Sequence, residues 1–181
     1  MEGNGQICDE QNGFRKDRSC TDHIFVLNSL VQSKIHSKQH IFATFIDFRK
    51  AFDCIDSEFL LYKILEKGID GNIYWAIKSL YRNNEACVMV NHYLTDLFNC
   101  SYGVRQGGTF SPTLFSLYIN DLVTCINQLI KGLHLSEMQV SILLYADDVV
   151  LVAENEENLQ DMLNCLHEWS VKWKISVNES N

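Results

Sequence analysis

Ile142-Leu143-Leu144-Tyr145-Ala146-Asp147-Asp148-Val149-Val150-Leu151-Val152-Ala153 is the stretch on which the fold turns. Two short apolar runs rich in branched side chains flank an acidic pair. Their length and composition read as two strands joined by a polar turn. Adjacent carboxylates repel one another unless solvent or a cation neutralises them. Taken alone, Asp147-Asp148 reads first as the solvated turn of an ordinary hairpin.

A third carboxylate changes that balance. Residues 41–48 form another apolar, β-branched and aromatic run, with Asp47 near its end. A charge there is costly unless it is paired or bound to a metal. If this strand lies beside the hairpin, Asp47 and Asp147 meet at one sheet edge. They then offer the oxygen ligands that Mg²⁺ prefers. Two such ions could align an attacking 3′-hydroxyl and stabilise a departing pyrophosphate.

The segments between these strands read mostly as helices. Ile24, Leu27, Leu30 and Val31 have helical spacing, with Ser19 or Thr21 as a cap. Asp56 or Ser57 caps a helix to Lys67, Gly68 stops it, and another helix covers residues 73–81. Residues 86–91 and 97–102 suggest a hairpin. Ser111-Pro112 opens a helix with Leu114, Leu117, Tyr118, Leu122, Cys125 and Leu129 on its apolar face, ending near Gly132. Asn155 caps a last helix with the stripe Leu159, Met162, Leu163, Leu166, Trp169 and Trp173, before a short strand at residues 175–177. This order predicts an α+β layer with helices on one face of a mainly antiparallel sheet and the other face left free. Before the Ser111-Pro112 helix, Gly107 and Gly108 allow close backbone approach to a ligand near a positive helix end; without the acidic residues, a flexible hairpin-to-helix connection is the favoured reading.

One proline and no low-complexity linker among 181 residues predict one continuous unit. No apolar run approaches the roughly 20 residues of a membrane-spanning helix, and the N-terminus lacks a secretory pattern. The chain is therefore expected to be intracellular, in nucleus or cytoplasm. Its seven scattered cysteines lack zinc-site spacing and read as reduced thiols. The net charge of −8 sits badly with a nucleic-acid partner, because duplex binding draws on Lys and Arg contacts to phosphate. The cluster Arg15-Lys16-Asp17-Arg18 is short, and a solvated helix start explains it equally well.

Together these motifs resemble the reverse transcriptases of non-LTR (LINE-type) retrotransposons. Phe45-Ile46-Asp47-Phe48-Arg49-Lys50-Ala51-Phe52-Asp53 is similar to that family's first catalytic motif, residues 103–112 to its glycine-rich motif, and Tyr145-Ala146-Asp147-Asp148 to its third. Gln11-Asn12-Gly13-Phe14-Arg15-Lys16-Asp17-Arg18-Ser19 resembles the fingers segment ahead of the palm, and residues 169–178 the helix and strand after it. The resemblance covers nearly the whole chain.

It implies a polymerase palm over residues 41–181 and a partial fingers segment over residues 1–40. It also implies two Mg²⁺ ions, replaceable by Mn²⁺, held by Asp47, Asp147, Asp148 and the Phe48 backbone carbonyl. The implied substrates are an RNA template, a DNA primer and dNTPs. Phe52 falls where the family sets a bulky side chain against the sugar 2′ position, although a core aromatic at a helix start is a serious rival. Gln106, Gly107 and Gly108 would line the incoming nucleotide and template base, and Lys50 would approach the triphosphate. The sequence begins inside the fingers and stops before the primer grip and thumb, so a domain truncated at both ends is expected. A catalytically inactive remnant is the alternative. Ala146 stands where RNA-dependent RNA polymerases commonly carry glycine.

Overall fold

The computed structural model describes residues 6–82, 84–105, 107–135 and 137–178. The chain runs through α1 (Cys20–His36), β1 (Phe42–Ile46), α2 (Ser57–Glu66) and α3 (Gly71–Tyr81). Four two-residue strands follow: β2 (Glu85–Ala86), β3 (Met89–Val90), β4 (Tyr93–Leu94) and β5 (Phe98–Asn99). Then come α4 (Ser111–Gln128), β6 (Leu133–Leu135), β7 (Met138–Val140), β8 (Ile142–Tyr145), β9 (Asp148–Ala153) and α5 (Glu156–Trp173).

The central sheet is antiparallel in the order β1-β9-β8. Its register runs from Phe42 opposite Ala153 to Ile46 opposite Val149, and from Ile142 opposite Leu151 to Tyr145 opposite Asp148. Strand side chains alternate between faces. Ile46, Val149, Leu151, Ala153, Ile142 and Leu144 therefore point together into the main core, with Phe48 just beyond β1. On the opposite face Phe45 is 76% exposed and Asp47 is open to solvent.

That second face is free only in part. Leu30 of α1, Leu133 of β6 and Val152 of β9 form a smaller core there, joined by Val26, Leu27, Val140 and Val150. The strand period puts apolar Val150 and Val152 on this side, and burying them is worth about 1.5–3 kcal/mol per fully covered side chain. α1 and the β6–β7 hairpin cover one end of the face and leave the end bearing Asp47 open.

α4 is the axle of the main core: Leu114, Phe115, Leu117, Tyr118, Ile119, Leu122, Val123 and Ile126 are all buried. Its start differs from the sequence expectation. Phe110 holds the N-cap position, and the Ser111 hydroxyl donates to the Arg105 carbonyl instead of capping orphan amides. Asp56 and Asn155 do cap, accepting from the amides of Glu58 and Phe59 and of Asn158 respectively. α4 ends at Gln128, short of Gly132, and the chain turns into β6–β7, a hairpin absent from the sequence reading. The hairpin expected over residues 86–102 forms as two nested ladders, β2 with β5 and β3 with β4. The inner turn is Asn91-His92, both with positive φ, as a two-residue hairpin turn of matching twist requires. The short strand at residues 175–177 reduces to one bridge, Val177 to Phe48.

Lys63 joins α2 to α4 and α5 from inside the protein. It is 3% exposed, donates to the Tyr118 carbonyl and to Asp121 Oδ1 (2.7 Å), and lies over the Trp173, Tyr118 and Trp169 rings at 3.8, 4.3 and 4.8 Å. Burial outweighs the Asp121 carboxylate and lowers the ammonium pKa from 10.5 to about 8. Between these two values the unfolded chain binds more protons than the folded one, so this group's contribution to stability rises with pH. Wild-type protein should gain up to about 3 kcal/mol relative to Lys63→Met between pH 7.5 and 10.5. Urea unfolding at several pH values measures this, and a difference constant with pH would contradict it.

Candidate active site on the β1-β9-β8 edge

The acidic turn has two residues, Ala146 and Asp147, closed by the Tyr145–Asp148 pair. Ala146 adopts φ +59°, a left-handed conformation that L side chains seldom take. β1 ends one step before Asp47, and continuing the Ile46–Val149 register by one residue sets Asp47 against Asp148. The three carboxylate-bearing residues therefore gather at one edge, as the two apolar runs and the period of a strand predict.

Their electrostatics agree with that placement. Burial raises the pKa of Asp147 above the ordinary carboxylate value, and the charges of Asp148 and Asp47 raise it further, against a lowering backbone hydrogen bond. Among the described residues, no three His, Cys, Asp or Glu side chains converge into a ready metal cage. Mg²⁺ does not require one, since it keeps several waters and is commonly held by one or two carboxylates plus substrate phosphates. Hard oxygen donors that repel one another, with Asp147 partly buried and Asp47 and Asp148 exposed, suit such a cation.

Two amide side chains missed by the sequence reading hold this edge. Asn178 donates from its backbone N–H to the Asp47 carbonyl (2.7 Å) and from Nδ2 to Asp47 Oδ2 (2.9 Å). Gln11 binds both backbone groups of Ala146 from the other side. The two contacts span 131 and 135 residues, so no local periodicity could reveal them. Both residues do lie in stretches singled out by family resemblance, which was the available signal.

Phe48 is buried, with its ring in the core, while its neighbour Arg49 donates its N–H to the Ser176 carbonyl. Lys50 is exposed on the turn that follows, with φ +48°. Phe52 stacks on Phe115 of α4 at 4.4 Å between centroids and meets the edge of Phe14 at 6.1 Å. A core role and an edge role thus coexist, because Phe52 is only partly buried. Phe14 follows Gly13, whose backbone lies against Ala146, so Phe52 belongs to the same neighbourhood as the acidic turn.

The glycine-rich loop is laced to the Phe52 turn: Val104 N–H donates to the Phe52 carbonyl (2.8 Å) and Gly103 N–H to the Ile55 carbonyl (2.7 Å). Gly107 has φ +76° and open space around it, leaving its backbone accessible. Gly108 N–H donates to the Arg105 carbonyl. Gln106 lies outside the described residues. The basic cluster is structural in part, since Arg15 donates to the Cys8 and Gln11 carbonyls and Arg18 to the Asp9 carbonyl and side chain. Asp47, Asp147 and Asp148 border neither a cleft of about 960 Å³ lined by Tyr62, Tyr74, Lys78 and Tyr102 nor one of about 720 Å³ along Gly103–Arg105. The carboxylates instead face an open sheet edge, which suits a long polymer better than an enclosed small molecule.

A palm-type polymerase fold carrying an acidic edge is the class these features define, and comparison with known proteins supports it. The reverse transcriptase (RNA-dependent DNA polymerase) family matches residues 2–180, so the chain belongs to that family. It is 27% identical over 174 residues to the RNA-directed DNA polymerase from mobile element jockey of Drosophila funebris, covering 93% of this chain and 18% of that protein. It is 24% identical over 160 residues to the Pol polyprotein from the type-1 retrotransposable element R2 of Nasonia vitripennis, covering 88% and 16%. The chain thus spans about a fifth of the length of these relatives. The solved telomerase of Candida albicans, in complex with a fragment of telomeric RNA, has the same fold with a TM-score of 0.70 and 15% identity, over 93% of this chain and 31% of that one. Among the described residues no helix is long and apolar enough to cross a membrane.

Removing one repelling charge should relax Asp147. In Asp148→Asn, a carboxyl-resolved NMR titration should find the Asp147 pKa lower than in wild type yet still above the ordinary value, because burial remains. An unchanged pKa would separate the two carboxylates electrostatically and contradict the geometry.

Proposed function

We propose that this chain is the palm, with part of the fingers, of an enzyme that extends a DNA primer on an RNA template, using dNTPs. The observation carrying this reading is the sheet register, which continued one residue past the Ile46–Val149 pair sets Asp47 against Asp148, with Asp147 at the adjoining turn. Bound divalent cations, Mg²⁺ or Mn²⁺, would supply charge neutralisation and activation of the primer hydroxyl. Asp47, Asp147 and Asp148 would hold them, with the Phe48 carbonyl as a further oxygen donor.

The other residues act on the nucleotide. Phe52, backed by Phe115, is stiffly held, and its exposed edge would bar a 2′-hydroxyl. The accessible backbone of Gly107, with Gly108 and Gln106 beside it, would border the incoming base pair, and exposed Lys50 would meet the triphosphate. The acidity of this piece conflicts with a nucleic-acid partner only if it acts alone. The retrotransposon relatives are about five times longer, and basic, strand-gripping surface would come from such further sequence. These substrates put the work inside the cell, in nucleus or cytoplasm.

Incorporation of dNTPs on a primed RNA template, with Mg²⁺ or Mn²⁺, tests the reading. Wild type should incorporate, and Asp147→Ala should lose on the order of 10²–10³-fold or more. Equal incorporation by both would overturn the site. Incorporation by neither would overturn the activity for this chain and favour an inactive remnant. Phe52→Ala should raise rNTP use relative to dNTP by roughly tenfold or more, as loss of a steric contact of this size allows. Unchanged discrimination would remove Phe52 from that role.

A further inference from the structure

Two of the three hydrogen bonds of the Gln11 amide go to the acidic turn. Gln11 is 1% exposed. Its Oε1 accepts from the Ala146 N–H (2.9 Å) and the Gly13 N–H (2.8 Å), and its Nε2 donates to the Ala146 carbonyl (3.0 Å). A turn residue in a two-residue hairpin has no strand opposite it to satisfy these two backbone groups. Gln11 takes that place with a side chain. Its own backbone is fixed in turn: it bridges Leu144 in parallel, Asn12 N–H donates to the Leu144 carbonyl (2.9 Å), and Leu144 N–H donates to the Glu10 carbonyl (2.8 Å). Arg15 closes the support by donating to the Gln11 carbonyl (3.0 Å).

Gly13 presses the same turn from nearby. A Cβ built on Gly13 would stand 2.1 Å from the Ala146 nitrogen, a distance no real carbon occupies. Ala146 itself is held at φ +59°, which costs a non-glycine residue on the order of 1 kcal/mol and persists only where the surroundings enforce it. The backbone of Ala146 sets the direction in which the next residue, Asp147, projects.

We infer that Gln11 is a positioning residue for Asp147: through the backbone of Ala146 it fixes the turn in the left-handed form that aims the Asp147 carboxylate toward Asp47 and Asp148. The inference rests on the proposed metal-binding role of those carboxylates. A purely structural Gln11 would affect stability alone. A positioning Gln11 affects affinity for a cation in protein that is still fully folded, because tilting one ligand degrades the site without unfolding it.

The test is Mn²⁺ binding to this chain, followed by the electron paramagnetic resonance signal of free Mn²⁺ at a temperature where circular dichroism reports folded protein throughout. Wild type should bind, and Asp147→Asn should bind far more weakly. Gln11→Met keeps the side-chain length and removes all three hydrogen bonds, and should weaken binding about tenfold. Gln11→Asn keeps a neutral amide but, one methylene shorter, cannot make all three hydrogen bonds at once. It adds no charge, should fall between wild type and Gln11→Met, and decides the matter if Gln11→Met does not fold. Wild-type affinity in the folded Gln11 variants would overturn the inference while leaving the metal site standing. Absence of binding by wild type would overturn the metal reading, and the inference with it.

Discussion

The antiparallel register of β1 with β9 is the constraint on which the other features depend. Because strand side chains alternate, a slip of β1 by one residue would carry Ile46 from the core to the open face and Phe45 into the core. The same slip would separate Asp47 from Asp148. Core packing and site assembly are thus enforced by one pairing, and the apolar side chains do the enforcing. A buried Leu or Ile side chain is worth about 1.5–3 kcal/mol against solvent. Several such side chains fix the pairing, and the like charges are carried together at its edge as a consequence.

Around that edge the protein uses neutral amides where cations might have been expected. Asn178 binds Asp47 and Gln11 binds the Ala146 turn, while the buried cation, Lys63, serves the helix layer instead, boxed by Tyr118, Trp169 and Trp173. Arg15 and Arg18 spend their donors on backbone carbonyls of the N-terminal segment and on the Asp9 and Asn12 side chains. The hydrogen bonds at Asp47 and at the Ala146 turn therefore leave the carboxylate charge of the edge in place. In a reverse transcriptase family member, that is the electrostatic state that favours a divalent cation over a lysine partner.

Much of this was legible in the sequence. The hairpin around Asp147-Asp148, the strand bearing Asp47 and the helices with stripes ending in Leu129 and Trp173 are local patterns of period two or 3.6, and they formed with boundary shifts of a few residues. What the sequence hid was non-local. Val150 and Val152 needed a cover on the second face, and nothing near them in sequence indicated that Leu30 and Leu133 would supply it. The β6–β7 hairpin is only three residues a side, too short for its alternation to stand out. Ser111 looked like a cap and instead ties back to Arg105, because Phe110 had already entered the helical turn. Gln11 and Asn178 were visible only as members of motif-like stretches; their work depends on partners far along the chain.

A single cation-attracting edge of Asp47, Asp147 and Asp148, set by the β1-β9-β8 register, predicts where a bound ion sits. Paramagnetic broadening by Mn²⁺ in the amide spectrum of the isotope-labelled chain tests it most directly. Saturable broadening should centre on residues 46–49 and 146–149 together, with Asn178 and Gly13 next affected, and should be displaced by Mg²⁺. Broadening confined to one of the two segments, or centred on the acidic start of α5 at Glu156 and Glu157, would contradict the account.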